Sequence, residues 1–250
     1  MTVATPRARD PSGYAARERL ASATLFLVTS ALVVTSLVVP WWTVQYAVPT
    51  SSGTESATIY FLPGSSARVL ANGVSSVATY TSLGLGGSAG TLYGTVQAVG
   101  LIVVVAAAGA GVLTVLPGAT KSWRRQISVA VATLGIIAVV GLALTVGLFP
   151  VAESQSLPNG LALCGIASGG SSPCASFYGS ASGAWGSGSW GPGPGWYLAG
   201  TSLTSLVAGL LVFALTQRGA WTVAVSGPRS DAVRQHPGGE PGSTEVSSAP

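Results

Sequence analysis

Cys164 and Cys174 are the only two thiols in the 250-residue chain, and both stand in one polar stretch between apolar runs. The loop they enclose, Gly165 to Pro173, is one that a disulfide would close with about 2–3 kcal/mol of stabilisation in the chain-entropy model. A membrane thiol relay needs a second, closely spaced pair to exchange with, and the chain has none. The two therefore read as a structural disulfide facing an oxidising space. Acid–base chemistry has as little to work with. The single histidine, His236, lies in a Gly/Pro/Ser-rich tail, which leaves no histidine-activated nucleophile and no histidine metal cluster. Glu55 and Glu153 could work as a carboxylate pair only if two separate loops brought them together, and they read instead as solvated loop residues. No glycine-rich stretch follows a strand and opens a helix with Lys-Ser/Thr, so none is a phosphate cradle. The expectation is a protein without catalytic residues, metal or cofactor, and not an enzyme.

The aromatic residues are more suggestive. Phe177, Tyr178, Trp185 and Trp190 sit in a Gly/Ser background, where they could stack on sugars or contact a partner protein. The same rings could instead pack on the small sheet of the first loop or lie at the headgroup level, and this is the reading the sequence favours, with partner contact as the other. Trp41 and Trp42, and again Trp196 and Tyr197, flank apolar runs and are expected as interfacial anchors.

The elements that carry these residues follow from the apolar runs. Only 7% of residues are charged, against about 25% in an ordinary globular domain, and mean hydropathy is strongly positive. Between Tyr93 and Leu116, and between Ile127 and Phe149, no ionisable Asp, Glu, Lys, Arg or His occurs. Each run exceeds the roughly 20 residues that span a bilayer core. The fold predicted is an all-α membrane protein: a four-helix transmembrane bundle with a small extracellular β-rich cap formed by two outside loops. The helices are predicted at about 20–39, 92–116, 127–149 and 196–217. A positive segment followed by an apolar run also describes a secretory signal, but the run from Leu20 to Val39 is too long and lacks a small-residue cleavage site, so it is expected to be retained. Outside loops are expected at 40–91 and 150–195 and an inside turn at 117–126. Residues 1–19 form a cytoplasmic segment and 218–250 a disordered cytoplasmic tail. Pro40 and Pro150 are read as helix stops.

Within the first loop, Trp42, Val44, Tyr46 and Val48 share one face of an extended strand, and Ala57, Ile59 and Phe61 one face of another. Ala67–Leu70 and Val74–Ser82 are further candidate strands, with Asn72-Gly73 as the hairpin turn. Gly94 and Ala98, and Ala107 and Gly111, have the four-residue spacing that lets helix backbones approach in lipid, and Gln97 is expected to hydrogen-bond a neighbouring helix.

Charge sets the expected orientation. With the termini on one side, that side holds Arg7, Arg9, Arg17, Arg19, Lys121, Arg124, Arg125, Arg218, Arg229 and Arg234, and the other holds Arg68 alone. By the positive-inside rule both termini are cytoplasmic in a multi-pass plasma-membrane protein, with Arg17, Arg19, Lys121, Arg124, Arg125 and Arg218 as the local determinants. The basic residues serve orientation and not nucleic-acid binding. In topology the arrangement resembles the claudin-type four-helix proteins, with inside termini, a larger first loop carrying strands and a second loop joining the same cap. Claudins hold paired cysteines and a tryptophan-rich motif in the first loop. Here the first loop has Trp41 and Trp42 but no cysteine, and no functional residues carry over. The function expected is that of a non-catalytic structural, adhesion or partner-binding subunit of the cell envelope, acting through its outside loops. The alternative is a small-solute transporter or channel subunit. Its partners are the lipid bilayer and other membrane proteins or a second copy.

Overall fold

The computed structural model describes residues 11–117, 120–156, 176–183 and 186–225. Four helices dominate: α1 (Pro11–Val38), α2 (Gly86–Val115), α3 (Lys121–Ser156) and α4 (Pro194–Val225). Each contains a stretch of at least 23 residues long and apolar enough to cross a membrane. Helix α1 packs against α2 and α4, α2 against α3, and α3 against α4. Contacts between helices are made where side chains are small. A Cβ at Gly111 would stand 3.3 Å from atoms of Ala23, Phe26 and Leu27 on α1, and one at Gly135 would collide with Leu210 on α4. Serine hydroxyls of α1 and α4 cross-link the packing: Ser22 donates to the Gly209 carbonyl, Ser205 to that of Leu25, and Ser30 to that of Val104 on α2. The other small pair behaves differently, since Gly94 meets nothing within 4 Å and Ala98 is exposed. On the outward faces stand Leu27, Val34, Ile102, Val105, Ile137 and Leu211, an apolar belt that water would not tolerate and lipid does.

The sheet has six antiparallel strands: β1 (Trp42–Thr50), β2 (Gly53–Phe61), β3 (Ser66–Ala71), β4 (Val74–Thr79), β5 (Gly179–Gly183) and β6 (Gly186–Pro192). Their spatial order is β4-β3-β2-β1-β6-β5. It is a composite, because β1 pairs with β2 on one side (Val44↔Ile59) and with β6, from beyond α3, on the other (Val44↔Trp190). Alternation decides which face is buried: Trp42, Val44, Ala57, Ile59, Phe61 and Ala67 point to the core. Asn72 and Gly73, both at positive φ, make the tight turn between β3 and β4 that this residue pair favours.

Several sequence expectations need correction. Helix α1 starts at Pro11, a residue suited to the first helical turn, ahead of the start expected at about residue 20. Helix α2 begins at Gly86, six residues before the predicted start. Residues 121–126 are helical, because the Thr120 hydroxyl accepts from the Trp123 N–H and caps α3. Helix α4 runs from Pro194 to Val225 and so takes in 218–225, which the sequence alone assigns to the tail. Most consequential, α3 does not end at Pro150 but passes through it to Ser156.

Candidate functional site

Where the sheet meets the helices, an interior of rings is built from all these segments. Phe61 from β2 stacks on Tyr80 and on Tyr93 of α2, at centroid distances of 6.0 and 5.6 Å. Phe149 of α3 stands edge-on to Tyr93, Trp41 and Phe177, and Phe177 continues to Trp196 of α4. Into this apolar interior α3 projects Glu153, only 1% exposed. The Tyr93 hydroxyl donates to Glu153 Oε1 at 3.0 Å, while Oε2 is buried and has no partner among the described residues. Tyr80 lies in the turn after β4, and its hydroxyl donates to the Leu62 carbonyl. Burial holds the Tyr80 phenol well above its ordinary range, and the nearby Glu153 carboxyl adds to the effect.

Trp41 and Trp42 belong to this interior and not to the lipid headgroups. Both are at least 98% buried, with the Trp41 indole donating to the Ser36 carbonyl at the end of α1 and the Trp42 indole donating to the Phe177 carbonyl. Phe177 and Trp190, read as partner contacts, are half-buried and serve the fold: the Trp190 ring covers Gly179, where a Cβ would come within 2.6 Å of it, and its N–H donates to Ser176. Tyr178 is 74% exposed and Tyr197 is 56% exposed. Trp196 is half-buried, its N–H donating to Val146 of α3. The sequence reads Glu153 as a solvated loop residue. It is buried because α3 continues past Pro150. Glu55 lies exposed on β2, well removed from it along the sheet. Gln97 is exposed and, among the described residues, bonds no neighbouring helix; its Oε1 lies against Gly64 of the β2–β3 connection. Arg17, Arg124 and Arg125 are exposed and Arg19 half-buried, all at the helix ends remote from the sheet, and Lys121 and Arg218 fall in α3 and α4 at that same end. Cys164, Cys174 and Trp185 lie outside the described residues.

The opposite face of the sheet carries what the sequence did not disclose. Across β2, β1, β6 and β5 it is hollowed into an open trough of about 610 Å³. Two rungs of side chains cross it in register. One is Thr58, Gln45, Ser189 and Ser180; the next is Ser56, Ala47, Ser187 and Ser182. None of these groups is ionisable. Among the described residues, none of these hydroxyls, nor the Gln45 amide, has a hydrogen-bond partner in the protein. The signal for it in the sequence is faint: Ser180 and Ser182, then Ser187 and Ser189, each two residues apart, mark strand faces without apolar content, recognisable only once β1 is known to lie beside them. A second, wholly apolar groove of about 370 Å³ runs between α2 and α3 past Val99, Gly141 and Leu148, at the level of the lipid-facing belt.

Compared with known proteins, the chain matches no family model, and no curated protein matches its sequence. Its four apolar helices are those of a multi-pass membrane protein. What it does must be read from its own geometry.

Proposed function

We propose that this chain is a non-catalytic plasma-membrane protein in which a four-helix bundle carries the composite sheet as a rigid cap on the outer side, both termini being cytoplasmic, and that it acts by binding at that cap. The observation that carries the reading is the composite sheet itself. Two chain segments separated by two spanning helices are joined through β1 and β6 and set on the helix ends by a shared aromatic core. That is far more order than connecting loops need, and it presents an exposed polar surface on a fixed support. Orientation rests on the segregation of basic residues to the end remote from the sheet.

A transporter or channel subunit is the competing reading. The bundle interior is filled by Phe26, Val33, Val103, Ala107, Val131 and Leu206, all essentially unexposed, which supports the binding role over a water path through one copy. Three measurements test the proposal. Ser52→Cys, in the β1–β2 turn, should react in intact cells with an impermeant thiol reagent, and Ser122→Cys only after permeabilisation. Reconstituted vesicles should show no solute flux, and a photo-crosslinker placed at exposed Tyr178 should trap a specific neighbour. Labelling of both cysteines from outside, or robust flux from the purified chain, would overturn it.

A further inference from the structure

We infer that the trough across β2, β1, β6 and β5 is a binding site for a neutral, hydroxyl-rich chain, a linear uncharged glycan; this rests on the sheet facing outward as proposed above. Each serine or threonine hydroxyl offers one donor and two acceptors, and the Gln45 amide offers two of each kind. Left without protein partners, they ask for a ligand that can donate and accept at closely repeated points. A polyhydroxylated ligand does that. An anionic ligand would call for Arg or Lys in the lining, a cationic one for Asp or Glu, and an apolar peptide for apolar pockets; the lining has none of these. The volume lies within the roughly 300–1,000 Å³ of small-ligand sites, and the open form suits a segment of a longer chain.

The rungs are also well prepared. Ladder pairing fixes successive strands about 4.8 Å apart, so the side chains of one rung recur at a regular spacing, with hydroxyls on β2, β6 and β5 and the Gln45 amide on β1. Serine has one side-chain rotor to immobilise, so ordering it on binding costs little. Tyr46 is the one aromatic residue of the lining, and strand alternation turns its ring to the core face with Trp42 and Val44, so the trough offers no stacking platform and affinity is modest, with Kd on the order of 0.1–1 mM for a short oligomer. An extended glycan would gain by engaging several copies.

The test uses the full chain in lipid nanodiscs and titrates short linear neutral oligosaccharides, with an anionic oligosaccharide of the same length as comparison. Saturable binding of a neutral oligomer is expected. Ser187→Val with Ser189→Val removes two hydroxyls while keeping a strand-favouring side chain, and should weaken it about tenfold or more. Ser75→Val, on β4 outside the trough, should leave it unchanged. Near-UV circular dichroism of the tryptophan-rich core confirms that each variant is folded. Absence of saturable binding by every neutral oligomer, equal binding of the anionic one, or insensitivity to the double substitution would overturn the inference. So would a protein crosslinked directly onto the Ser187 and Ser189 rungs in place of glycan. If Tyr178 still traps its neighbour in that case, the cap-binding role stands and only the glycan falls. If Ser52 proves cytoplasmic, both fall.

Discussion

At the scale of single residues, Glu153 is the group whose placement most needs a reason. Its carboxyl has one donor, Tyr93, and one buried oxygen left without a partner among the described residues, an arrangement that favours geometry over stability. Removing either member alone strands the other: Tyr93→Phe leaves both carboxyl oxygens bare, and Glu153→Met leaves the phenol unpaired. Each single change should cost about 1–3 kcal/mol. The double variant, which removes both polar groups and keeps volume, should recover most of that loss or exceed the parent. Detergent-denaturation midpoints for the four proteins check this. Additive losses would show that the pair is not coupled, and a stable double variant that no longer traps its neighbour at Tyr178 would assign Glu153 a working role. Tyr80 gives a pH dependence. In the unfolded chain its phenol ionises near the ordinary value of about 10, whereas in the fold burial keeps it protonated to higher pH. Its contribution is therefore fully present below about pH 10 and lost as pH rises from there towards the folded value, at up to about 1.4 kcal/mol per pH unit. Tyr80→Phe should flatten that alkaline slope; an unchanged slope would trace it to other groups. None of this was legible in the sequence, where Glu153-Ser-Gln-Ser after a proline reads as loop. Only the partner, 60 residues away on α2, explains the burial.

Among the elements, α3 shows how a helix survives its own stop signal. Pro150 has no N–H, so the carbonyl four residues back, that of Val146, loses its helical donor. The Trp196 indole of α4 donates to that very carbonyl at 3.2 Å. The proline gap thus becomes a helix–helix contact, and Trp196, expected merely as an interface anchor, becomes its key. Trp196→Phe should cost about 1–2 kcal/mol by leaving the half-buried Val146 carbonyl without a donor. Pro150→Ala restores the backbone donor, so adding it to Trp196→Phe should recover the loss, a coupling readable in a double-mutant cycle. If the second change brings no recovery, the bond is incidental. The strands divide along similar lines. Those of the first segment were legible from the alternation of Val44 with Tyr46 and Ile59 with Phe61 and from the Asn72-Gly73 turn. Strands β5 and β6 were not, since glycine and serine have no apolar period, and what makes them strands is the neighbouring β1.

The molecule as a whole is held at one hinge, where the chain leaving α1 crosses the chain entering α4. Gly193 N–H donates to the Trp41 carbonyl and Gly195 N–H to that of Pro40, both at 2.8 Å. The approach is so close that a Cβ on Gly195 would stand 2.5 Å from the Trp41 ring and 2.9 Å from the Ser36 carbonyl. The alternating glycines and prolines before Trp196 are therefore a docking surface: glycine permits contact and proline stiffens what contacts. Because this hinge and the ring core join sheet to helices, the two should not behave as separate units. Gly195→Ala should weaken both together, and SDS titration of the purified protein should show tryptophan fluorescence, which reports the sheet junction, and far-UV circular dichroism, which reports the helices, shifting to lower SDS in step. A sheet signal that is lost early while the helix signal keeps its parent midpoint would mean that the cap only rests on the bundle. Its binding face would then be free to tilt, and a fixed support for the trough could no longer be argued.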